Sequence, residues 1–356
     1  MAQVDRRVIV GADTHKKTHT IAIISEFGQE LAAQDFPATA KGYKEAHRWA
    51  CSFGNILRAG IEATGGYGAG LCIHLKDRSI EVLDVYKPDK QERRRRGKDN
   101  VRDAYQAATS ALSYTRCAIA KDRGEVLEAA RLLETAYEQA VIQRTASINM
   151  LKADLVVLGD ALRSRLEALS TDELIRHCVA FHIPKDADLG YGAKLALRTL
   201  AKRIRALDKE ASLLGEQIKR YAEALAPQTL SLFGVGPHGT INALCTAGEN
   251  IERFKDDAAF SMACGTSPIP ASTGDTFHFR LNRGGDRKTN CVLYRMALAR
   301  MRCNYANTQD FVAKKMSEGK SYKDAIRALK RYLARELFSA LKADLTVQEL
   351  IDDIAA

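Results

Sequence analysis

Three carboxylates stand where a carboxylate is costly to keep. Asp13 ends the apolar run VIVGAD, and Glu62 ends a second run as the chain enters the glycine-rich ATGGYGAG. Asp103 follows a basic loop at the start of a helical pattern. A charge at the end of a buried strand is unfavourable unless it has a partner or a task. Brought together from two strand ends and a helix face, the three would hold two Mg²⁺ ions. Such ions activate a hydroxyl and steady the leaving oxygen in phosphodiester cleavage. The ordinary alternative is a set of helix caps and surface charges. Beside them, Arg93, Arg94, Arg95, Arg96 and Lys98 read as a grip for nucleic acid near the acids, or as a solvated loop. Gly234-Val235-Gly236-Pro237 reads as one hairpin of a helix-hairpin-helix module, whose amides bind phosphates without reading sequence. A plain turn before a proline-initiated helix explains it equally well.

The elements that must position these residues follow from the apolar pattern. Val8 to Asp13 and His19 to Ser25 predict two strands of a hairpin. Gly42 to Ser52 predicts a helix, Leu57 to Glu62 a strand, Ala69 to Lys76 a helix and Ile80 to Val85 a buried strand. A leading hairpin followed by alternating helices and strands predicts a mixed α/β sheet rather than a doubly wound one. From Gly124 to Leu169 the pattern predicts continuous helix, with a glycine first at Gly159. A second long helix is expected from Lys194 to Leu225, where Leu197, Leu200, Ile204, Leu207, Ala211, Leu214 and Ile218 form a coiled-coil seam. The two would make a helical hairpin arm. After Pro227 the pattern is mostly helical, with helices expected at Phe254 to Ala263, Cys291 to Arg302, Tyr322 to Lys342 and Val347 to Ile354. The expected organisation is therefore an α/β domain over 1–120, a coiled-coil hairpin over 121–226 and a helical domain over 227–356.

Composition narrows the classes. With 46% hydrophobic and 28% charged residues the chain is globular in character, and no apolar stretch approaches the ~20 residues of a membrane span. The start, MAQVDRRVIV, lacks the apolar core of a secretory signal. The eight cysteines, scattered without CxxC spacing, read as reduced thiols that serve as small buried apolar residues in a cytoplasm. Between Thr276 and Ala340 there are 15 basic and 5 acidic residues, which accounts for the whole net charge of +10. A basic block of this kind is the footprint of a phosphate-backbone binder. Aromatics, at 7%, are not interleaved with it, so the sequence favours duplex or structured RNA over single strands stacked on rings.

The strings VIVGADTHKKTHTIAI, GIEATGGYG and KPDKQERRRRGKDNVRDAYQAA together resemble the N-terminal part of the insertion-sequence 110 family of transposases. The family includes Piv-type invertases and bridge-RNA-guided recombinases. CGTSPIPASTGDTFHFRLNRGGDRKTN resembles its second conserved domain, and SEGKSYKDAIRALKRYLARELF its C-terminal helix. The resemblance implies a ribonuclease H-like, RuvC-type first domain with a DEDD tetrad binding Mg²⁺ or Mn²⁺. Asp13, Glu62 and Asp103 take three places of that tetrad, and Asn100 stands where the third acid belongs. On a helix face Asp99, at i−4 from Asp103, would supply the missing carboxylate, with Asn100 as a neutral oxygen ligand. The resemblance also implies a serine nucleophile before a glycine. Ser272-Thr273-Gly274 offers two hydroxyls: register favours Thr273, while Ser272, a less crowded primary alcohol, is preferred. Arg280, Arg283, Arg287 and Lys288 are near enough in sequence to support charge developing at the phosphate.

What the resemblance implies is a bacterial, nucleoid-associated enzyme of the cytoplasm that cuts and rejoins the DNA of an insertion sequence. Its partners would be double-stranded DNA at element ends and target, a structured guide RNA, and other copies of itself in a dimer or tetramer. Other classes remain: a Holliday-junction-type nuclease using water, a catalytically inactive nucleic-acid-binding protein, and an actin-like or sugar-kinase ATPase. The ATPase reading lacks a second glycine-rich phosphate hairpin.

Overall fold

The computed structural model describes residues 6–86, 99–184, 191–272, 274, 276 and 278–355. It divides into two compact units, Met1–Asp122 and Arg123–Ala356.

The first unit is a six-stranded mixed sheet with helices on both faces. Strands β1 (Arg7–Thr14), β2 (Thr18–Ser25) and β3 (Glu30–Pro37) form an antiparallel meander. Helix α1 (Ala40–Cys51) leads to β4 (Asn55–Glu62), and α2 (Ala69–Lys76) leads to β5 (Glu81–Val85). Helix α3 (Asn100–Ser113) and β6 (Cys117–Ile119) complete the unit. The order across the sheet is β3-β2-β1-β4-β5-β6, with the β1–β4 and β4–β5 pairs parallel and the other neighbouring pairs antiparallel. β1 and β2 read as unbroken apolar runs because both faces are covered. Val8, Val10, Ala12, Ile21 and Ile61 pack with α1 and α2, while Ile9, Ile24 and Leu83 pack with Ala108 and Ala111 of α3.

The α3 face is built on absent side chains. A β-carbon at Gly11 would lie 2.0 Å from the Ala104 carbonyl oxygen, and one at Gly60 would lie 2.3 Å from that of Ala107. Glycine on two neighbouring strands and alanine on the helix bring the two backbones into contact.

The second unit begins with α4 (Glu125–Val156), followed by α5 (Asp160–Glu167), α6 (Thr171–Val179) and α7 (Gly192–Leu225). The continuous helix expected from Gly124 to Leu169 is therefore two helices. The chain leaves helical geometry at Val157 and restarts with extended Gly159 as the cap of α5. α4 and α7 run antiparallel, since Leu151 and Leu155 share a core with Leu197 and Ile204 and Leu127 and Ala130 share another with Ile218 and Ala222. On the expected seam Leu197, Leu200, Ile204, Leu207 and Ile218 are buried and Ala211 and Leu214 half-buried. Then come α8 (Pro227–Ser231), α9 (Pro237–Ala247), α10 (Asp257–Ala263), the ribbon β7 (Ile269–Pro270) and β8 (Phe279–Arg280), α11 (Arg287–Arg302), α12 (Ala306–Ser317) and α13 (Tyr322–Ala355). The two closing helices expected from the sequence are one, because Leu341 and Leu345 carry the buried face across the expected gap. Three of the cysteines, Cys51, Cys291 and Cys303, are exposed rather than buried. No helix among the described residues is long and apolar enough to cross a membrane.

Candidate catalytic carboxylates and serine hairpin

The register of the sheet sets Asp13 beside Glu62. Gly11 pairs with Gly60 and Ala12 with Ile61 in the parallel β1–β4 ladder, so the next step places the two acids on adjacent strand ends. Side chains alternate across a strand, so Asp13 lies on the face of Gly11 and Glu62 on that of Gly60. That is the face α3 covers. Asp103 lies in the first turn of α3 beside Ala104, the residue in contact with Gly11. All three carboxylates are buried, at 5%, 5% and 6% exposure. Two features fix the end of β4. The Thr14 hydroxyl donates to the Glu62 carbonyl at 2.8 Å, and Ala63 turns the chain with φ +55°. Left-handed geometry costs a non-glycine residue roughly 1–2 kcal/mol.

The donor set suits a hard divalent cation such as Mg²⁺ or Mn²⁺, since every group is a carboxylate oxygen. Convergence by topology is not a closed cage, however. Among the described residues no three His, Cys, Asp or Glu side chains stand at metal-holding separation. The Asp13 Oδ2 instead faces His15 Nε2 at 3.1 Å. Carboxylates sharing a buried site repel one another, and a neighbouring imidazole is a natural counter-group for one of them.

Asp99 precedes α3 as its N-cap, with extended backbone at φ −142°, and its carboxylate accepts from the Val101 amide at 3.1 Å. It is exposed, whereas Asn100, the first helical residue, is half-buried. The Asp99 carbonyl accepts from the Asp103 amide at 3.0 Å, so Asp99 stands one helical turn before Asp103. Arg93, Arg94, Arg95, Arg96 and Lys98 lie outside the described residues, as does Thr273.

In the second unit Ser272 is exposed in the loop of the β7–β8 ribbon, where the Ala271 amide donates to the His278 carbonyl at 2.9 Å. The base of this hairpin is pinned by backbone contact. Gly265 and Gly285 both have positive φ, and a β-carbon on Gly285 would lie 2.5 Å from the Gly265 nitrogen. Asn290 donates to the carbonyls of Cys264 and Gly265 at 2.8 and 3.1 Å and accepts from Lys330 at 2.8 Å. Burial and the nearby Arg327 hold the Lys330 ammonium below its ordinary pKa. Arg280, Arg283 and Arg287 are exposed on β8, the following loop and the first turn of α11. Lys288 is exposed too but bridges to Glu138 at 2.6 Å.

A polar cluster that sequence reasoning missed lies behind the Gly234–Pro237 turn. Buried Glu134 of α4 is 2.7 Å from His238 Nδ1 and accepts from Asn242 at 3.0 Å, and Tyr137 stacks on the His238 ring at 4.0 Å. Arg287, Lys288 and Arg295 share its cavity of about 700 Å³. The one available signal was a glutamate on the buried stripe of a long helix.

Two family models match the chain. A DEDD-type transposase model for insertion-sequence 110 elements matches residues 10–158, spanning Asp13, Glu62 and Asp103. The model described as "Transposase IS116/IS110/IS902 family" matches residues 228–313, spanning Ser272 and the arginines that follow it. By class the protein is a transposase, an enzyme that acts on DNA. Within that class it belongs to the insertion-sequence 110 family. No curated protein matches the chain.

Proposed function

We propose that this transposase cuts and rejoins insertion-sequence DNA through attack by a serine hydroxyl, with a divalent cation held by Asp13, Glu62 and Asp103. The observation that carries the reading is the placement of three buried carboxylates, Asp13 and Glu62 on adjacent strand ends and Asp103 in the first turn of α3, the helix that the glycine contact holds against that face. The strand order, a meander followed by two parallel strands, suits the ribonuclease H-like, RuvC-type domain that the resemblance implies. A bound Mg²⁺ or Mn²⁺ would supply Lewis acidity for the phosphodiester oxygens. Asp13 and Glu62, on adjacent strands, would hold it on the rigid sheet, and Asp103 would close the donor set from the helix.

Ser272 is the preferred nucleophile, with Thr273 the alternative. The hydroxyl loses its proton, the Oγ–P bond forms, and the bond from phosphorus to the departing sugar oxygen breaks. That oxygen leaves with a proton as a free hydroxyl. Arg280, Arg283 and Arg287 stand on the same hairpin and the turn after it, where positive charge offsets the developing phosphorane. The pinned base of the hairpin limits how far the serine can wander. Asn100 is a neutral oxygen donor at the edge of the acidic set, and Asp99, whose carboxylate also caps α3, is the alternative fourth donor.

Three functional segments fit this reading: 1–120 for the metal, 121–226 as a coiled-coil hairpin through which copies associate, and 227–356 for the serine and its basic surfaces. Duplex DNA is the substrate, a structured guide RNA a further partner, and the bacterial cytoplasm, at the nucleoid, the place of action. The test is strand exchange on labelled element ends with covalent trapping in denaturing gels. Asp13→Asn and Ser272→Ala should each abolish exchange while DNA binding persists, and Ser272→Ala should abolish the trapped adduct. An active Ser272→Ala beside an inactive Thr273→Ala moves the nucleophile by one residue. Metal-dependent cleavage without any adduct would replace the reading with a water-using junction nuclease.

A further inference from the structure

We propose that the groove between the β7–β8 hairpin and α13 binds an unpaired polynucleotide strand, stacking its bases on Phe279 and Tyr332. The groove encloses about 630 Å³, within the ~300–1,000 Å³ of pockets that take one small ligand, a size on the scale of a nucleotide or two. Its walls carry Arg280, Lys320, Arg327, Lys330, Arg331 and Arg335, against Asp324 as the acid among the described lining residues. Asp257, just outside, orients two of these cations, at 3.0 Å to Arg331 and 2.9 Å to Arg335. Arg280 is exposed and makes no ion pair among the described residues, while Lys320, also exposed, stands near enough to Glu318 and Asp324 to favour their charged forms. A second cavity of about 420 Å³ shares Arg327 and Lys330 and continues past Arg283 and Arg287. The positive lining is therefore a track rather than a spot.

The aromatic rings decide which nucleic acid fits. Phe279 enters from the hairpin and Tyr332 from α13, exposed at 54% and 51% although both line the groove. The edge of Phe311, 4.9 Å away between centroids, steadies the Tyr332 ring. A duplex backbone would engage the cations and leave the rings idle, because paired bases are already stacked on one another. Unpaired bases present open faces. Rings inside a cationic track are the platform on which single strands bind without regard to sequence. Residues 279 and 332 are far apart in the chain, so sequence order hides the interleaving that the fold creates.

The proposal needs nucleic-acid binding but not strand exchange, so the cleavage-deficient Asp13→Asn chain should bind the strand as the parent does. The probes are ten-nucleotide DNA and RNA strands of one sequence carrying 5-iodouracil, and the matching DNA duplex. Photocrosslinking of the full chain followed by peptide mass spectrometry should place adducts on Phe279 or Tyr332. Fluorescence anisotropy should show a loss of about tenfold for Tyr332→Ala, as expected when one base gives up its platform, and near-parent affinity for Tyr332→Phe. Preference for the RNA strand would make the occupant a guide, and preference for DNA a displaced strand; both support the proposal. Lys320→Glu, on an exposed side chain, should weaken binding and flatten its salt dependence. Adducts found only elsewhere, or a Phe279→Ala/Tyr332→Ala chain that binds as the parent does, would overturn it.

Discussion

Replacing Gly11 by alanine adds one methyl group at the contact between β1 and α3. That carbon would sit 2.0 Å from the Ala104 carbonyl oxygen, 2.4 Å from the Ala108 nitrogen and 2.8 Å from the Ala108 β-carbon. Two of these atoms are helix backbone, so no side chain can swing aside, and ordinary contact near 3.4 Å requires α3 to retreat by about 1.4 Å. Asp103 is the neighbour of Ala104 and travels with the helix, while Asp13 and Glu62 remain on the sheet. Misplacing a catalytic group by ~1 Å costs about 100-fold in rate. Overpacking of this kind costs ~1–3 kcal/mol, a fall of several degrees in melting temperature. The expected result is a roughly 100-fold slower metal-dependent cleavage of labelled DNA and a higher Mg²⁺ requirement, in a chain that still folds. Gly66→Ala is the control, since a β-carbon there meets nothing closer than 3.6 Å. A Gly11→Ala chain with parent activity and an unchanged melting temperature would refute the idea that this contact sets the position of Asp103.

Buried Asp344 accepts from the amides of Gln228 and Thr229, both at 2.8 Å, and from the Thr229 hydroxyl at 2.7 Å. Asp344→Ala should therefore cost about 3 kcal/mol in urea unfolding, and Asp344→Asn, which keeps one acceptor, should cost less. Burial holds the His19 imidazole below its ordinary 6.5, only partly opposed by its bond to the Thr18 carbonyl, and burial likewise lowers His47 and His74. The unfolded chain takes up these protons first, so the stability they contribute is complete above 6.5 and is lost as pH falls through their lowered values. Melting temperature should drop as pH falls below 6.5, and His19→Gln should lessen that drop; an identical slope in the two chains would remove His19 from the account.

The legible parts of the fold are those whose apolar pattern has one reading. β1, β2, β4 and α2 are short, strongly apolar and bounded by glycine or charge. β3 was hidden because ELAAQDFP is an edge strand, largely half-exposed or exposed, and β6 because three residues carry no period. The length of α13 was hidden because a lull in apolar residues resembles a boundary when a long helix merely turns its polar side outward. At the site, the costly position of Asp13 and Glu62 was visible in the sequence. That Asp99 caps α3 was not visible, because spacing alone does not say where a helix begins. The groove around Tyr332 was out of reach, since its walls come from segments that only tertiary packing joins.

Helix α7 belongs to two cores at once. Leu197, Leu200, Ala201 and Ile204 lock it to α5 and α6, while Ile218 and Ala222 lock it to the C-terminal helices. Between them stand the half-buried Ala211 and Leu214, and Asp208 paired to Arg144 of α4. At ~1.5 Å per residue the paired stems act as a ruler. Equal whole turns added to or removed from α4 and α7 would shift the α5–α6 cap by a set distance and leave the serine-bearing core untouched. Amide exchange should then resolve two foldons, with the cap opening at lower free energy than the body that holds it.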